Sequence, residues 1–331
     1  MFIRNYIHSL LLNFFNWLFS KTEEFLLWTP VSGLRASVLL FMALCITTLS
    51  GSTSFAQSEN FEFEHLTVEQ GLSSSSINCI LKDSQGFMWF GTNDGLNKFD
   101  GYKFTVFYHD PENQNSLNNN SIHALAEDNS GNIWIGTNGG GLNKYKPAKE
   151  KFTKYKNDSS NFAPHGNDYI RSIMQDRSGI IWIGSFNRGL YWFDPENEIF
   201  TNYLHEPNNP FSLSNNNIKS IFEDNTGNLW IGTNSGGLCC LKPNDRNKGL
   251  FINYKHNSAD LNSLGGNSVT SIIDDNEANL WIGIDEGGLS CLTQANRGIG
   301  KFINYRHNTK EKNSLSTNVI FSLLADDLGK A

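Results

Sequence analysis

Eight polar residues in this sequence of 331 residues have the side-chain types needed to bind a polyhydroxylated ligand. Each lies shortly after a Trp-Ile-Gly or Trp-Phe-Gly phrase, in a stretch rich in Asn and Gly that predicts a loop. Amide, carboxylate and guanidinium groups hydrogen-bond hydroxyls, and binding residues concentrate on loops held by a rigid scaffold. The eight are Asn93, Asp94, Asn138, Asn187, Arg188, Asn234, Asp285 and Glu286. The alternative is that these residues serve turn geometry alone.

The sequence lacks the patterns that carry known catalytic or metal chemistry. It has no Gly-x-Ser-x-Gly, no His-Glu-x-x-His and no Gly-x-x-x-x-Gly-Lys. None of its five cysteines pairs at zinc spacing. We therefore predict no catalytic residue, no metal and no cofactor. The formal net charge of -7, without a Lys/Arg cluster, argues against a nucleic-acid partner.

Two sets of recurring residues are interpreted as parts of the framework. Cys240 and Cys291 occupy the same place in successive repeats, which favours strand residues chosen for size over a disulfide. Four histidines recur near the end of a repeat, and their periodic placement indicates structure rather than catalysis. These are His109, His205, His256 and His307.

The loops that carry the eight polar residues are positioned by a phrase that occurs five times. It contains Trp-(Ile/Phe)-Gly followed by a Gly-Leu pair, and its tryptophans stand 45, 48, 48 and 51 residues apart. A period in this range is typical of propellers and solenoids. The tryptophans are Trp89, Trp134, Trp182, Trp230 and Trp281.

Each copy of the phrase predicts four short strands. In the fourth copy these are 217–223, 228–232, 238–241 and 251–254, with Asp224 and Gly227 in the turn between the first two. Four strands in a unit of about 45 residues is the content of one propeller blade. We therefore predict an all-β propeller with five complete blades and a truncated sixth, so that the ring is incomplete in this chain.

The recurring tryptophan is predicted to fill the layer between blades. One large aromatic residue buries about 150–250 Å², and the glycine two residues later lets the neighbouring blade approach. The alternative is a functional platform for stacking a sugar or docking a quinone. Recurrence at the same place in all five copies favours the structural role.

Both ends of the repeat region carry single strands. Segment 63–66 is similar to the closing strand of a blade and is predicted to complete the last blade, while 314–324 begins a sixth copy. The next tryptophan is due just beyond residue 331, which predicts that this chain is a truncated piece of a longer protein.

The first 56 residues are predicted to be a signal peptide region. A short apolar run, 37–49, follows Arg35 and precedes Ser54-Phe55-Ala56, a small-x-small cleavage site. A second apolar stretch lies upstream at 6–19, so either the signal region is extended or translation starts after Met1. Residues 57–331 then form the partial propeller in the periplasm.

Segments 128–142 and 224–238 read Asp-x-x-Gly-x-(Leu/Ile)-Trp-Ile-Gly-Thr-x-x-Gly-Gly-Leu, which resembles the repeat of the two-component regulator propeller family. The opening 63–72, with Glu69-Gln70-Gly71-Leu72, is similar to the start of those sensors. The resemblance covers residues 61–331. It implies the periplasmic sensor region of a hybrid histidine kinase, with the membrane span, kinase, receiver and DNA-binding parts downstream and a homodimer in the full-length protein.

The resemblance also implies an oligosaccharide or another small polar ligand as partner. Two other function classes stay open. A propeller enzyme, of the quinoprotein dehydrogenase or lyase type, needs Arg, Asp or His clustered on the ring axis. A protein-interaction scaffold needs neither a site nor a ligand.

Overall fold

Five four-stranded antiparallel sheets make up the computed structural model, which describes residues 64–155 and 168–325. In each sheet the strands are neighbours in sequence order, as the four-strand repeat predicted. We call the sheets blades one to five. Their strands are β1 (Ile77–Lys82), β2 (Met88–Thr92), β3 (Gly95–Phe99) and β4 (Phe104–Phe107); β5 (Ile122–Glu127), β6 (Ile133–Thr137), β7 (Leu142–Lys146) and β8 (Lys151–Tyr155); β9 (Ile170–Gln175), β10 (Ile181–Ser185), β11 (Leu190–Asp194) and β12 (Ile199–Tyr203); β13 (Ile218–Glu223), β14 (Leu229–Thr233), β15 (Leu238–Leu241) and β16 (Phe251–Tyr254); and β17 (Val269–Asp274), β18 (Leu280–Ile284), β19 (Gly288–Leu292) and β20 (Ile303–Tyr305).

Four short 3-10 turns lie before β1 or between later strands in the described residues. They are Val68–Gln70, Pro147–Lys149, Pro243–Lys248 and Gln294–Asn296. None of the helical segments in the described parts of the chain has the length and hydrophobicity of a membrane span. The predicted signal region, residues 1–56, lies outside the described residues.

The blades stand side by side with their first strands innermost. Strands β1, β5, β9, β13 and β17 contact one another in succession, and each of the last four also contacts the second strand of the preceding blade. The fold class predicted from the repeat is therefore confirmed: an all-β propeller with five complete blades.

The repeated aspartate does more than shape a turn. In blade four, Oδ1 of Asp224 accepts the backbone N–H groups of Thr226 and Asn228, which closes the tight turn between β13 and β14. Its Oδ2 accepts the indole N–H of Trp230 at 2.8 Å. The same indole bond, between 2.7 and 2.9 Å, recurs in all five blades. The spacing of six residues thus ties each turn to its own tryptophan.

The tryptophans fill the seams between blades, as predicted. Trp182 is 2% exposed and lies against Leu229, Ile231 and Leu241 of the next blade. Its ring also stacks on Tyr203 of its own closing strand, with 6.3 Å between the centroids. Trp89, Trp134 and Trp230 lie in equivalent buried clusters.

The glycine two residues after each tryptophan is required by close packing. A Cβ atom on Gly232 would lie 2.6 Å from Cγ1 of Val269 in the next blade and 2.3 Å from Oγ of Ser220. Side-chain carbons do not approach this closely without displacing a neighbour. The prediction that this glycine lets adjacent blades approach is confirmed.

A cation completes most seams, and its source varies. Lys144 of β7 lies 3.3 Å from the Asp128 carboxylate and 4.6 Å from the centre of the Trp134 ring. In β15 the equivalent residue is Cys240, and the next blade supplies Arg297, whose guanidinium lies 2.7 Å from Asp224. The cysteines at this position, Cys240 and Cys291, are free, buried strand residues as predicted.

Burial alone would raise the pKa of the seam aspartate Asp128. In Asp128 this effect is outweighed by hydrogen bonds from Asn132 and Trp134 and by the charge of Lys144, so the pKa lies below its usual range. The Asp128 carboxylate therefore stays ionised inside the protein, because the paired lysine and several hydrogen-bond donors offset the cost of its burial.

The histidines near the closing strands fasten the loops between blades. Nδ1 of each ring lies 2.5–2.8 Å from the carbonyl oxygen of a leucine eight residues later. An asparagine eleven residues later accepts the backbone N–H of each histidine. Their predicted structural role is confirmed.

Two predicted end strands are wrong within the described residues. Residues 64–67 form no strand, and Thr67 instead caps a 3-10 turn. Residues 317–325 follow the inner edge of blade five, where Thr270 donates to the Ile320 carbonyl, but they also form no strand. A strand needs a hydrogen-bonded ladder with a partner, and no described strand forms one with either segment.

Candidate functional site

The first strand of every blade carries a β-bulge near its start. In blade four, Ile218 pairs with Thr233 and Ser220 with Gly232, so Lys219 is the extra residue without an opposite partner. Bulges re-aim side chains and are frequent beside functional sites. The five bulged residues are Asn78, His123, Arg171, Lys219 and Thr270.

These five side chains converge on one cavity. The cavity has a volume of about 350 Å³ and is also lined by Tyr169, Asp285 and Phe321. Because all five first strands contribute to it, the cavity lies on the axis around which the blades are arranged. We call it the axial cavity. Its wall combines amide, hydroxyl, imidazole, aromatic and charged groups.

One side of the axial cavity is an aromatic and cationic stack. Tyr169 and Phe186 stack with 5.7 Å between ring centroids, and the Arg171 guanidinium lies 5.4 Å from each ring centre. Arg171 also donates to the Asn217 amide oxygen at 3.1 Å. The stack fixes the guanidinium in one place, since its planar face is packed and one edge is bonded.

His123 joins this stack. Its Nδ1 lies 2.9 Å from the Tyr169 hydroxyl, and its Nε2 lies 3.1 Å from the Ser121 hydroxyl. Burial and the nearby charge of Arg171 lower the pKa of His123 below its usual value of 6.5. The imidazole is therefore neutral at pH 7, and it acts in the cavity as a hydrogen-bonding group.

The other side of the axial cavity is formed by an ion pair. Nζ of Lys219 lies 3.7 Å from Oδ2 of Asp285 and donates to the Ser268 hydroxyl at 2.8 Å. Burial lowers the pKa of Lys219, and the charge of Arg171 adds to this effect, although Asp285 opposes it. The lysine side chain is 15% exposed and the aspartate side chain 38% exposed, so the pair faces the cavity rather than the core.

The loops with the predicted ligand-binding residues border this cavity. The loop between the second and third strands of each blade bonds to the following inter-blade loop, for example Gly237 N–H to the Asn267 carbonyl. The loops within blades and the loops between blades therefore share one face. Among the eight predicted residues, Asp285 is the one that lines the cavity.

The other seven predicted residues lie at exposed positions around it. The Asn93 side chain accepts from Asn78, and the Asp94 carboxylate accepts from Asn120. Arg188 reaches Asp168 at 3.6 Å with a side chain that is 61% exposed. The backbone N–H groups of Asn138 and Asn234 bond to inter-blade residues. Asn187 and Glu286 complete the set, and ligand binding by all eight stays a prediction.

The bulged residues were missed from the sequence. In the sequence each follows the aliphatic residue that opens the first strand, where the apolar spacing predicts only the alternation of a strand. The signal that could have found them is a comparison of the copies. At this single place the side chain changes from amide to imidazole, guanidinium, ammonium and hydroxyl, while its neighbours keep their character.

The structure bears on two alternatives from the sequence: tryptophans that stack a sugar or dock a quinone, and an enzyme with charged residues on the ring axis. Trp89, Trp134, Trp182 and Trp230 are at most 2% exposed, which excludes them as platforms for a sugar or a quinone. Arg171, His123 and Asp285 do meet on the axis, as the enzyme alternative required. No group of three or more metal-binding side chains occurs in residues 64–155 and 168–325.

Comparisons with known proteins identify the repeat. The sequence signature described as two component regulator propeller matches residues 71–94, 116–139, 165–187 and 212–235. Each match runs from the region before a first strand to the loop after a tryptophan strand. The signature therefore covers the bulge, the turn aspartate and the seam tryptophan of blades one to four.

Two relatives connect the chain to signalling proteins. Histidine kinase P4 of Formosa agariphila is 43% identical over 81 residues, which is 24% of this chain and 6% of the kinase. The crystal structure of the extracellular domain of a hybrid two component system from B. thetaiotaomicron superposes with a TM-score of 0.62 at 28% identity. That match covers 75% of this chain and 33% of the other chain, so the chain spans about a third of that structure's length.

An enzyme shares the fold alone. Virginiamycin B lyase from Staphylococcus aureus superposes with a TM-score of 0.52 at 15% identity, covering 71% of each chain. Such a likeness extends to the blades and not to a site. The repeated signature, by contrast, includes the residues that build each seam. By its repeats and its fold, the chain belongs to the two-component regulator propeller family.

Proposed function

We propose that this chain is a ligand-sensing segment that binds an oligosaccharide outside the cytoplasm for a two-component signalling protein. The family is a sensor propeller and not a catalytic one. The observation that carries the proposal is the axial cavity, where five bulges direct polar side chains to one place. Binding without chemistry needs only such a wall, because no bond in the ligand has to be broken.

The lining of the axial cavity suits a sugar. Tyr169 lines the cavity and Phe186 stacks on it, and the apolar face of a sugar ring packs against such aromatic rings. Asn78, His123 and Thr270 offer donors and acceptors for hydroxyl groups. A cavity of about 350 Å³ falls in the usual size range of small-molecule sites.

Calorimetric titration of the chain with a panel of neutral and acidic oligosaccharides tests this proposal. We expect saturable heat with at least one sugar, and a loss of affinity of about tenfold in Tyr169→Ala because an aromatic face is removed. Tyr102→Ala is the matched control, since Tyr102 is 96% exposed and lies outside the cavity. Absence of saturable heat across the panel, with a folded chain, would contradict the proposal.

The location is supported by the extracellular domain to which the chain is similar and by the predicted signal region. Expression in a Gram-negative host followed by fractionation tests it. We expect the chain in the periplasmic fraction with its N-terminus at Gln57. An uncleaved chain retained in the cytoplasm would overturn this part of the proposal.

A further inference from the structure

The axial cavity holds more positive than negative charge. Arg171 and Lys219 come from the bulges of neighbouring blades and line the cavity together. The carboxylate among the residues that line it is Asp285. Two full cations therefore face one carboxylate in a chain whose formal net charge is -7. This local excess runs against the overall charge of the protein.

Within residues 64–155 and 168–325, Arg171 is held in place without an ion pair to a carboxylate. Its recorded hydrogen bond goes to the neutral amide of Asn217, and its flat face packs on the rings of Tyr169 and Phe186. A guanidinium has five N–H donors. Aromatic packing and one hydrogen bond to an amide fix the position of the guanidinium, and its other N–H groups can donate to a ligand.

Lys219 is only partly compensated. Its distance of 3.7 Å from Asp285 exceeds that of a good charged hydrogen bond, and its closest bond goes to the neutral hydroxyl of Ser268. Burial and the charge of Arg171 lower its pKa in spite of Asp285. The two cations thus repel each other inside a recess that is partly shielded from water, where charge interactions are strengthened.

We propose that Arg171 and Lys219 form a subsite for an anionic group, so that the ligand is an acidic oligosaccharide bearing a carboxylate or a sulfate. The proposal rests on the proposed function and names its ligand class. An anion between the two cations would relieve their repulsion. It would also accept hydrogen bonds from the guanidinium N–H groups of Arg171, which the aromatic stack holds in place. Arg171 supplies a planar fork for two acceptor oxygens, and Lys219 supplies a compact charge.

The groups beside Arg171 and Lys219 then contact the rest of the sugar. Tyr169 and Phe186 stand beside the guanidinium, so a ring whose acidic group reaches Arg171 can pack on an aromatic face. Asn78 and Thr270 lie on the remaining wall of the cavity, where they can bond hydroxyls. Asp285 disfavours a second anion close to the first, which limits the subsite to one acidic group.

Titration with three probes of equal length tests the inference: galacturonic acid tetrasaccharide, which carries carboxylates only, a sulfated galactotetraose, which carries sulfates only, and neutral galactotetraose. We expect at least one acidic probe to bind about tenfold more tightly than the neutral one, since charged hydrogen bonds contribute more than neutral ones. The two acidic arms distinguish a carboxylate from a sulfate. Raising the salt concentration should reduce the preference, because charge attraction is screened.

Variants assign the preference to the two cations. Arg171→Gln and Lys219→Gln should each reduce the preference for the acidic probe about tenfold, and Lys219→Arg should retain most of it. Lys248→Gln is the matched control, because Lys248 is exposed and does not line the cavity. Thermal unfolding of each variant verifies that it is folded.

The outcomes separate the inference from the proposed function. Equal binding of neutral and acidic probes would leave the proposed function standing and overturn the anionic subsite. A preference for acidic probes that survives both glutamine variants would also overturn it. Failure of every probe and of the wider panel to bind would reject the proposed function and the subsite together.

Discussion

The seams between blades and the axial cavity use the same five repeats in opposite ways. At the seams, every blade presents the same aspartate, tryptophan and glycine, and the same bond joins the aspartate to the indole, from Asp83 and Trp89 in blade one to Asp275 and Trp281 in blade five. At the axis, one position on each first strand holds a different chemical group in every blade.

This difference separates what the fold requires from what it leaves free. A seam has one geometric solution, because a blade must bury a face against its neighbour and the space for the indole is the same each time. A bulged residue pairs with no strand partner, so its identity is not constrained by the ladder. In a repeat protein, positions whose side chains differ from repeat to repeat are available for ligand recognition.

The largest expected effect comes from removing a seam tryptophan. Trp182→Ala should lower the free energy of unfolding by about 3–5 kcal/mol, because it leaves a cavity against blade four and removes the donor to Asp176. Urea denaturation of the purified chain measures this.

Trp281→Ala is the control for that prediction. Trp281 makes the same bond to its aspartate but is only partly buried, so its removal should cost at least about 1 kcal/mol less. Equal losses in the two variants would mean that packing between blades is not what the tryptophan contributes. The seam side of the comparison would then fail.

A smaller loss is expected when a seam is overfilled. Gly232→Ala should destabilise the chain by about 1–3 kcal/mol, because the new Cβ would meet Ser220 and Val269 at less than 3.0 Å. Gly298→Ala is the matched control, since nothing lies within 4 Å of its Cβ position. Urea denaturation of both variants compares them, and a neutral Gly232→Ala would show that the seam can widen without cost.

The seams were predictable from the sequence because they repeat. The predicted strands of the fourth copy, including 238–241 and 251–254, agree with β15 and β16, and the others differ by a residue or so. Asp224 and Gly227 were recognised as the turn between the first two strands. That the carboxylate also binds the indole was not, because the bond depends on how the hairpin closes in three dimensions.

The axial cavity was not predictable in the same way. A bulge changes the direction of a side chain without changing the apolar spacing of its strand, so Arg171 and Lys219 gave no periodic signal. Glycine-rich loops with conspicuous polar residues drew the prediction to the rim instead. Asp285 was found because it belongs to such a loop and also reaches the axis.

Replacing Ala278, which stands at the glycine position of the turn in blade five, is expected to stabilise the protein. Ala278 stands where the other copies have glycine, and it adopts a positive φ of 60°. A non-glycine residue is strained there, so Ala278→Gly should raise the free energy of unfolding by roughly 1 kcal/mol. Ala124→Gly makes the same change in the ordinary strand β5 and should lower it. Urea denaturation decides, and a loss in both would show that the turn of blade five carries no strain.

The smallest expected effect on stability concerns the axial cavity. Lys219→Gln should change the free energy of unfolding by no more than about 0.5 kcal/mol, although it removes a cation that is largely shielded from water. The lost attraction to Asp285 is offset by the lost repulsion from Arg171, and the amide can still donate to Ser268. Urea denaturation of Lys219→Gln and Trp182→Ala side by side compares their losses of free energy of unfolding. A loss as large as that of the seam variant would show that Lys219 is required for the fold. The distinction between repeated structural positions and variable binding positions would then be wrong for Lys219, on which the acidic subsite depends.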